Sequence, residues 1–302
     1  MIMSHPDHLP GHAPGYRAIR FNIDWIMRPV FGIFLAGVAI GALVLGPEFF
    51  AGLTVLVCLL AAREWHRLVR SPQQRARAEH ERLHMQTIIT AIAIALAVVA
   101  LLARMVPLAM VLLVLGAVAA FLVARRRDDN PAWHALGVIY LGLPALSLVA
   151  LRTFLPQGVQ TIIGLFLIVW ATDTGAMIFG KLIGGARMAP RLSPGKTWAG
   201  TIGGSLTAAL IFGLYIGFFG FPVLLAMLFA FVFSFTAHGG DLFESLVKRR
   251  FGYKDSGALI PGHGGVLDRM DSLFAASVVM ALLVFILHLN PMFGGHMFGA
   301  AS

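Results

Sequence analysis

A chain of 302 residues that is 58% hydrophobic and only 12% charged, with a mean hydropathy of +0.83, lies outside the range of water-soluble domains and reads as a membrane protein. The formal net charge of +9 is then a report of topology, not a nucleic-acid footprint, and no nucleic-acid partner is expected. A single cysteine, Cys58, inside an apolar run excludes a disulfide framework and a thiolate metal site.

The first residues are polar and rich in His and Pro, so no cleaved signal peptide is expected, and His5, His8 and His12 read as part of a disordered terminus. Ile19, Ile23, Ile26, Met27 and Val30 then recur at helical spacing, with Arg17, Arg20, Asp24 and Arg28 opposite. Residues 1–29 are read as a cytoplasmic segment whose amphipathic helix lies in the interface.

A bilayer core needs roughly 20 apolar helical residues. Nine candidate spans meet or approach that: Val30 to Leu45, Phe49 to Ala62, Gln86 to Ala103, Pro107 to Ala124, Trp133 to Leu151, Val159 to Phe179, Thr197 to Phe219, Phe221 to Phe235 and Ser272 to Leu289. The expected fold is an all-α polytopic membrane protein. Alternation of the connections places 21 of the 23 lysines and arginines on one side and leaves only Arg104 and Arg152 on the other. By the positive-inside rule the N-terminus is cytoplasmic and the C-terminus external. Residues 30–151 then form a five-helix scaffold and residues 152–302 a four-helix catalytic region, because Asp173, Asp241, Glu244, Asp255, Asp268 and Asp271 all lie in the second half.

Between His238 and Ser272 the chain is too polar to span a bilayer and too long for a minimal turn, so it reads as a cytoplasmic loop with ordered ends. If its start continues the preceding helix, Asp241, Glu244, Ser245 and Lys248 share one face. Asp268 and Asp271, three apart at the start of the last span, share another. Pro261, Gly262, Gly264 and Gly265 permit an irregular backbone that can approach a ligand. Hard oxygen donors interleaved with Lys and Arg suit Mg²⁺ holding a polyphosphate better than zinc. Such an assembly can gather anionic reactants and neutralise a phosphate leaving group.

A second cluster runs from Trp170 to Gly204. Asp173 falls within a span, where an unpaired carboxylate is costly, so it is a candidate site residue; pairing with a loop cation for packing alone is the bland alternative. The small-residue pairs Gly180/Gly184 and Gly200/Gly204 are read as helix packing. Gly195-Lys196-Thr197 resembles the end of a phosphate-binding P-loop, but residue 190 is Pro where that motif needs Gly, and no strand is expected before it. A lysine at a helix start can hold phosphate without that fold.

Ser245, Lys248-Arg249, Lys254-Asp255, Pro261, His263-Gly264-Gly265, Asp268-Arg269 and Asp271, together with Thr172-Asp173-Thr174-Gly175, Ser193-Pro194, Lys196-Thr197 and Gly240-Asp241, identify a resemblance to the membrane phosphatidate cytidylyltransferases. It covers roughly 169–272; the first half matches only in hydropathy. The resemblance implies transfer of the cytidylyl group of CTP to phosphatidate, giving CDP-diacylglycerol and pyrophosphate in phospholipid biosynthesis, at a bacterial inner membrane with the site facing the cytoplasm. It also implies essential Mg²⁺, a K⁺ beside it, and a homodimer. Carried over, Asp241 and Asp268 are metal ligands and, with Lys248 and Asp271, the catalytic set. Lys196, Lys248, Arg249, Lys254 and Arg269 contact phosphates, and Asp173, Ser193, Thr197, Ser245, Asp255 and His263 complete substrate binding. Ala199 stands where the family often has Glu or Gln, and His238 where Gln is common.

Two rival readings remain. His80-Glu81-Arg82-Leu83-His84 fits the HExxH zinc-protease pattern, yet it lies in an Arg-rich stretch without a third ligand and reads as a solvated helix face. A transporter for an anionic solute calls for paired broken helices in the two halves, and none is evident.

Overall fold

The computed structural model describes residues 32–77, 84–257 and 264–289. The interfacial helix expected within 1–29, the N-terminal histidines, the start of the HExxH pattern and His263 lie outside the described residues.

Helices dominate: α1 (Gly32–Leu45), α2 (Pro47–Leu68), α3 (Pro72–Arg77), α4 (Met85–Leu102), α5 (Val106–Arg126), α6 (Pro131–Phe154), α7 (Gly158–Leu182), α8 (Trp198–Gly217), α9 (Val223–Arg250) and α10 (Leu267–Leu289). Among the described residues eight of these are long and apolar enough to cross a membrane, and α1 is a shorter apolar helix at the first expected span. The fold is that of an all-α polytopic membrane protein. Large apolar side chains such as Phe34, Leu115, Leu206, Leu224 and Phe285 point outward, as lipid-facing surfaces require.

Two apolar clusters hold the bundle. One joins α2, α4, α5 and α6 around Trp65, Ile94, Leu101, Leu113 and Leu141. The other joins α7, α9 and α10 around Ile162, Leu165, Ile168, Phe233 and Leu273. Helix α6 serves both, with Leu141 and Leu146 in the first and Leu148 and Leu151 in the second.

The two arginines that stand apart in the charge partition both pack near the end of α6. Arg152 donates from Nε to the Leu43 carbonyl at 3.0 Å, and the Arg104 guanidinium lies 5.5 Å from the Phe154 ring centroid.

Two local readings change. A short antiparallel hairpin, β1 (Arg187–Ala189) paired with β2 (Ser193–Thr197), occupies the stretch where no strand was expected. Its strands are too short and too polar to show alternation. Gly180, Gly200 and Gly204 do sit where α7 and α8 touch, but Gly184 has open space and φ +65 just beyond the end of α7. It is the left-handed residue that stops a helix, not a packing contact.

Candidate active site

Helix α9 continues for 28 residues, through the segment beginning at His238. Its last turn carries Lys248, Arg249 and Arg250, cations that favour the negative end of a helix. Tyr253 N bonds the Lys248 carbonyl at 2.9 Å and closes the turn. Asp241, Glu244, Ser245 and Lys248 therefore do share a helix face, and the connection proper shrinks to 251–266. Gly240 lets α10 approach: a Cβ there would strike the Asp271 backbone carbonyl and Ala275.

Lys196 is brought in by the hairpin. Thr197 caps α8, its Oγ1 accepting from Gly200 N at 3.1 Å, and Lys196, one residue earlier, extends to the Asp241 carboxylate at 2.6 Å. Lys248 bridges two acids, Glu244 at 3.0 Å and Asp268 at 2.7 Å. Ser245 Oγ donates to Asp241 at 3.3 Å, and Ser272 Oγ to Asp173 at 3.5 Å. Asp268 also accepts from the backbone N–H groups of Ser256 and Gly265, each at 3.0 Å. Gly264 makes the latter turn with φ +83, and a Cβ there would come 3.1 Å from Asp268 Oδ2, so glycine fits both the backbone and the space.

These groups surround one cavity of about 360 Å³, lined from α7 by Asp173, from β2 by Lys196 and Thr197, from α9 by His238, Asp241, Glu244 and Lys248, and from α10 by Asp268, Arg269 and Asp271. Five carboxylates facing two lysines and an arginine form a charged chamber at one end of an apolar bundle. Each lysine is already held by an acid, so an incoming anion and those acids compete for the same ammonium groups. The chamber can bind polyanions, neutralise charge that develops on a leaving group, and bind a cation through hard oxygen donors.

Of the expected site residues, Asp173, Lys196, Thr197, Asp241, Lys248, Asp268, Arg269 and Asp271 converge on the cavity. Ser245 stands behind it on Asp241. Ser193, Arg249, Lys254 and Asp255 do not line it. Arg249 instead ties the hairpin to the end of α9, donating to the carbonyls of Leu192 at 3.2 Å and Tyr253 at 3.3 Å. Lys254 and Asp255 are exposed beside it. Glu244, placed on the face of Asp241 by its spacing but given no role, is buried within the cavity wall, where its Oε2 accepts from Lys248. His238 lines the cavity with its ring near the Thr201 carbonyl at 3.3 Å.

The HExxH reading fails on its second histidine. His84 is the extended residue before α4, and it is buried against His134 with ring centroids 5.8 Å apart. It is therefore not on a solvated helix face. Among the described residues no three His, Cys, Asp or Glu side chains are arranged so as to hold a metal ion by themselves.

The family described as the Cytidylyltransferase family matches residues 26–287. A phosphatidate cytidylyltransferase of Brucella suis is 46% identical over 170 residues, 54% of this chain and 61% of that protein. One of Staphylococcus saprophyticus is 39% identical over 159 residues, 51% of this chain and 60% of that protein. The matched stretch thus spans about three fifths of the length of these relatives, while the family match extends over nearly all the described helices. The chain belongs to the cytidylyltransferase family.

Proposed function

We propose that the protein transfers the cytidylyl group of CTP to phosphatidate, forming CDP-diacylglycerol and pyrophosphate. The observation that carries this reading is the chamber in which Lys196 and Lys248 face Asp173, Asp241, Glu244, Asp268 and Asp271. In the reaction a phosphate oxygen of phosphatidate attacks the α-phosphorus of CTP. The bond from that phosphorus to the bridging oxygen breaks, and pyrophosphate leaves with the electron pair. The phosphate is itself the nucleophile, so no side chain need be covalently modified.

Magnesium suits this donor set, which consists of carboxylate oxygens only. Mg²⁺ retains waters and takes one or two carboxylates plus substrate phosphate oxygens, so it does not need three side chains already set in ligand geometry. Asp241 and Asp268 would hold it, and it would supply charge neutralisation at the phosphates. Both acids now hold lysine ammonium groups. Released from them, Lys196 and Lys248 can orient the CTP phosphates and stabilise pyrophosphate, with Arg269 at the rim. Asp173 and Asp271 keep the wall polar, and His238 with Thr201 bounds the chamber opposite. The K⁺ implied by the resemblance, and Ser193, Arg249, Lys254, Asp255 and His263 as substrate contacts, belong to the same proposal.

The topology follows the charge partition. The chamber end carries the basic connections and faces the cytoplasm of a bacterial inner membrane, where CTP is available. The opposite end, with Arg104 and Arg152, is external, as is the C-terminus. The protein acts as a homodimer.

The test is formation of CDP-diacylglycerol from labelled CTP and phosphatidate by detergent-purified protein, with and without Mg²⁺, beside Asp268→Asn. Metal-dependent product that disappears in a folded variant supports the reading. No product from folded wild-type protein in suitable lipid overturns it.

A further inference from the structure

Glu64 lies on α2, in the half of the molecule that contributes no residue to the chamber, yet it is 4% exposed and fully engaged. Its Oε1 accepts from Val266 N at 3.1 Å. Its Oε2 accepts from Leu267 N at 2.8 Å and from Ser256 Oγ at 3.2 Å. The first N–H groups of a helix have no partners within it, and that end carries partial positive charge. Helix α10 therefore receives its N-terminal cap from a different helix, about 200 residues earlier in the chain. Burying an acid is costly unless every oxygen is satisfied, and this one is placed where backbone donors do so.

The same contacts lead to Asp268, the second residue of α10. Ser256, whose hydroxyl bonds Glu64, donates its backbone N–H to Asp268 at 3.0 Å. Gly265, next to the two capped amides, donates to the same carboxylate oxygen at 3.0 Å. The backbone closes tightly around the Glu64 carboxylate, since a Cβ on either Gly257 or Gly265 would collide with it. Both described ends of the connection between α9 and α10 are thus fastened to Glu64 on one side and to Asp268 on the other.

We propose that Glu64 is a positioning residue for the chamber: by capping α10 across the bundle, it fixes the direction in which Asp268 faces Lys248. This rests on the reading of Asp268 as a reaction residue given above. Glu64 itself touches no substrate.

The experiment compares wild type, Glu64→Gln and Glu64→Ala as full chains in nanodiscs, by amide hydrogen exchange without substrate and by steady-state kinetics. The Gln variant keeps the volume and one acceptor oxygen but turns its NH2 toward one of the donors. Exchange over 264–270 is expected to quicken by about tenfold or more, with α4 and α6 unchanged. In turnover, kcat falls by about tenfold in Glu64→Ala and less in Glu64→Gln, while KM for CTP stays within about threefold. Unchanged exchange at 264–270 overturns the proposal. So does acceleration spread equally over α4 and α6, or a raised KM with kcat retained. Should Glu64→Ala fail to fold, the Gln variant decides alone. If wild type forms no product at all, the reaction reading fails, and the exchange result still decides whether Glu64 pins the start of α10.

Discussion

Two groups of buried polar side chains sit in this bundle, and they are built on opposite plans. Between α2, α4 and α6, Thr90 Oγ1 lies 2.7 Å from His66 Nε2, His66 Nδ1 lies 2.9 Å from His134 Nδ1, and His134 Nε2 lies 3.0 Å from Asp129. One tautomer assignment satisfies the whole line: Thr90 donates to His66, His66 to His134, and His134 to Asp129. Asp129 is further fixed by the backbone N–H groups of Ser71 at 2.7 Å and Asn130 at 2.9 Å. Every link is a single contact, and Thr90, His66, His134 and Asp129 are all buried. Around the chamber, by contrast, five acids crowd two lysines about an open cavity. The first group spends its polarity on joining helices, and the second keeps unresolved charge facing open space. Burial of ionisable groups thus marks a site where those groups also line open space.

This contrast can be broken in order of effect. Asp241→Asn is expected to lower turnover by about a thousandfold, or about 4 kcal/mol of transition-state stabilisation, without loss of insertion or folding. Lys248→Ala should cost about a hundredfold in kcat in the same labelled-CTP assay, since it removes charge facing the phosphates and leaves Glu244 and Asp268 unopposed. His134→Leu inverts the pattern. Denaturation in detergent should show a loss of about 2–4 kcal/mol, because His66 and the Asp129 carboxylate lose their shared partner. The kcat of its folded fraction should stay within about threefold of wild type. Should His134→Leu abolish turnover in stably folded protein, the two groups are not separate.

The smallest effect is in the pH dependence of stability. Burial, with Arg70 and then His134 adding to it, pushes His84 down from its usual 6.5 to about 4. The unfolded chain then binds a proton that the folded one refuses, so stability is present above pH 6.5 and falls as the pH drops toward 4. Burial alone raises the Asp129 carboxyl, but the hydrogen bonds from His134, Ser71 and Asn130 outweigh it and hold the group at about 2. Its contribution is kept above its usual 3.8 and lost only between there and about 2. Unfolding midpoints measured across pH should show the upper window flattened in His84→Gln and the lower one kept.

Much of the chamber was legible in the sequence because its parts are local. Asp241, Glu244 and Lys248 are spaced for one helix face, Asp268 and Asp271 for another, and an acid inside a span singles out Asp173. The bundle was legible through hydropathy. What escaped depended on distant backbone. Glu64 stands beside Arg63 and Trp65 like an interfacial residue, and its partners are amide groups with no sequence signature. Its one available signal was its place near the end of an apolar run, where a fully buried acid needs a reason. The hairpin escaped through shortness, and with it the tie from Arg249 to the carbonyls of Leu192 and Tyr253.

Helix α9, at 28 residues, is about 42 Å long, some 12 Å more than a bilayer's hydrocarbon thickness. Its acids lie in the second half of that length, which in the proposed orientation sets the chamber near headgroup depth, while Met177 and Trp198 expose apolar surface. A lipid reaching such a chamber is supplied by lateral diffusion within its own leaflet. The relevant concentration is then a mole fraction in the surface, and diluting a fixed amount of lipid substrate with inert lipid should slow turnover even when its bulk molarity does not change.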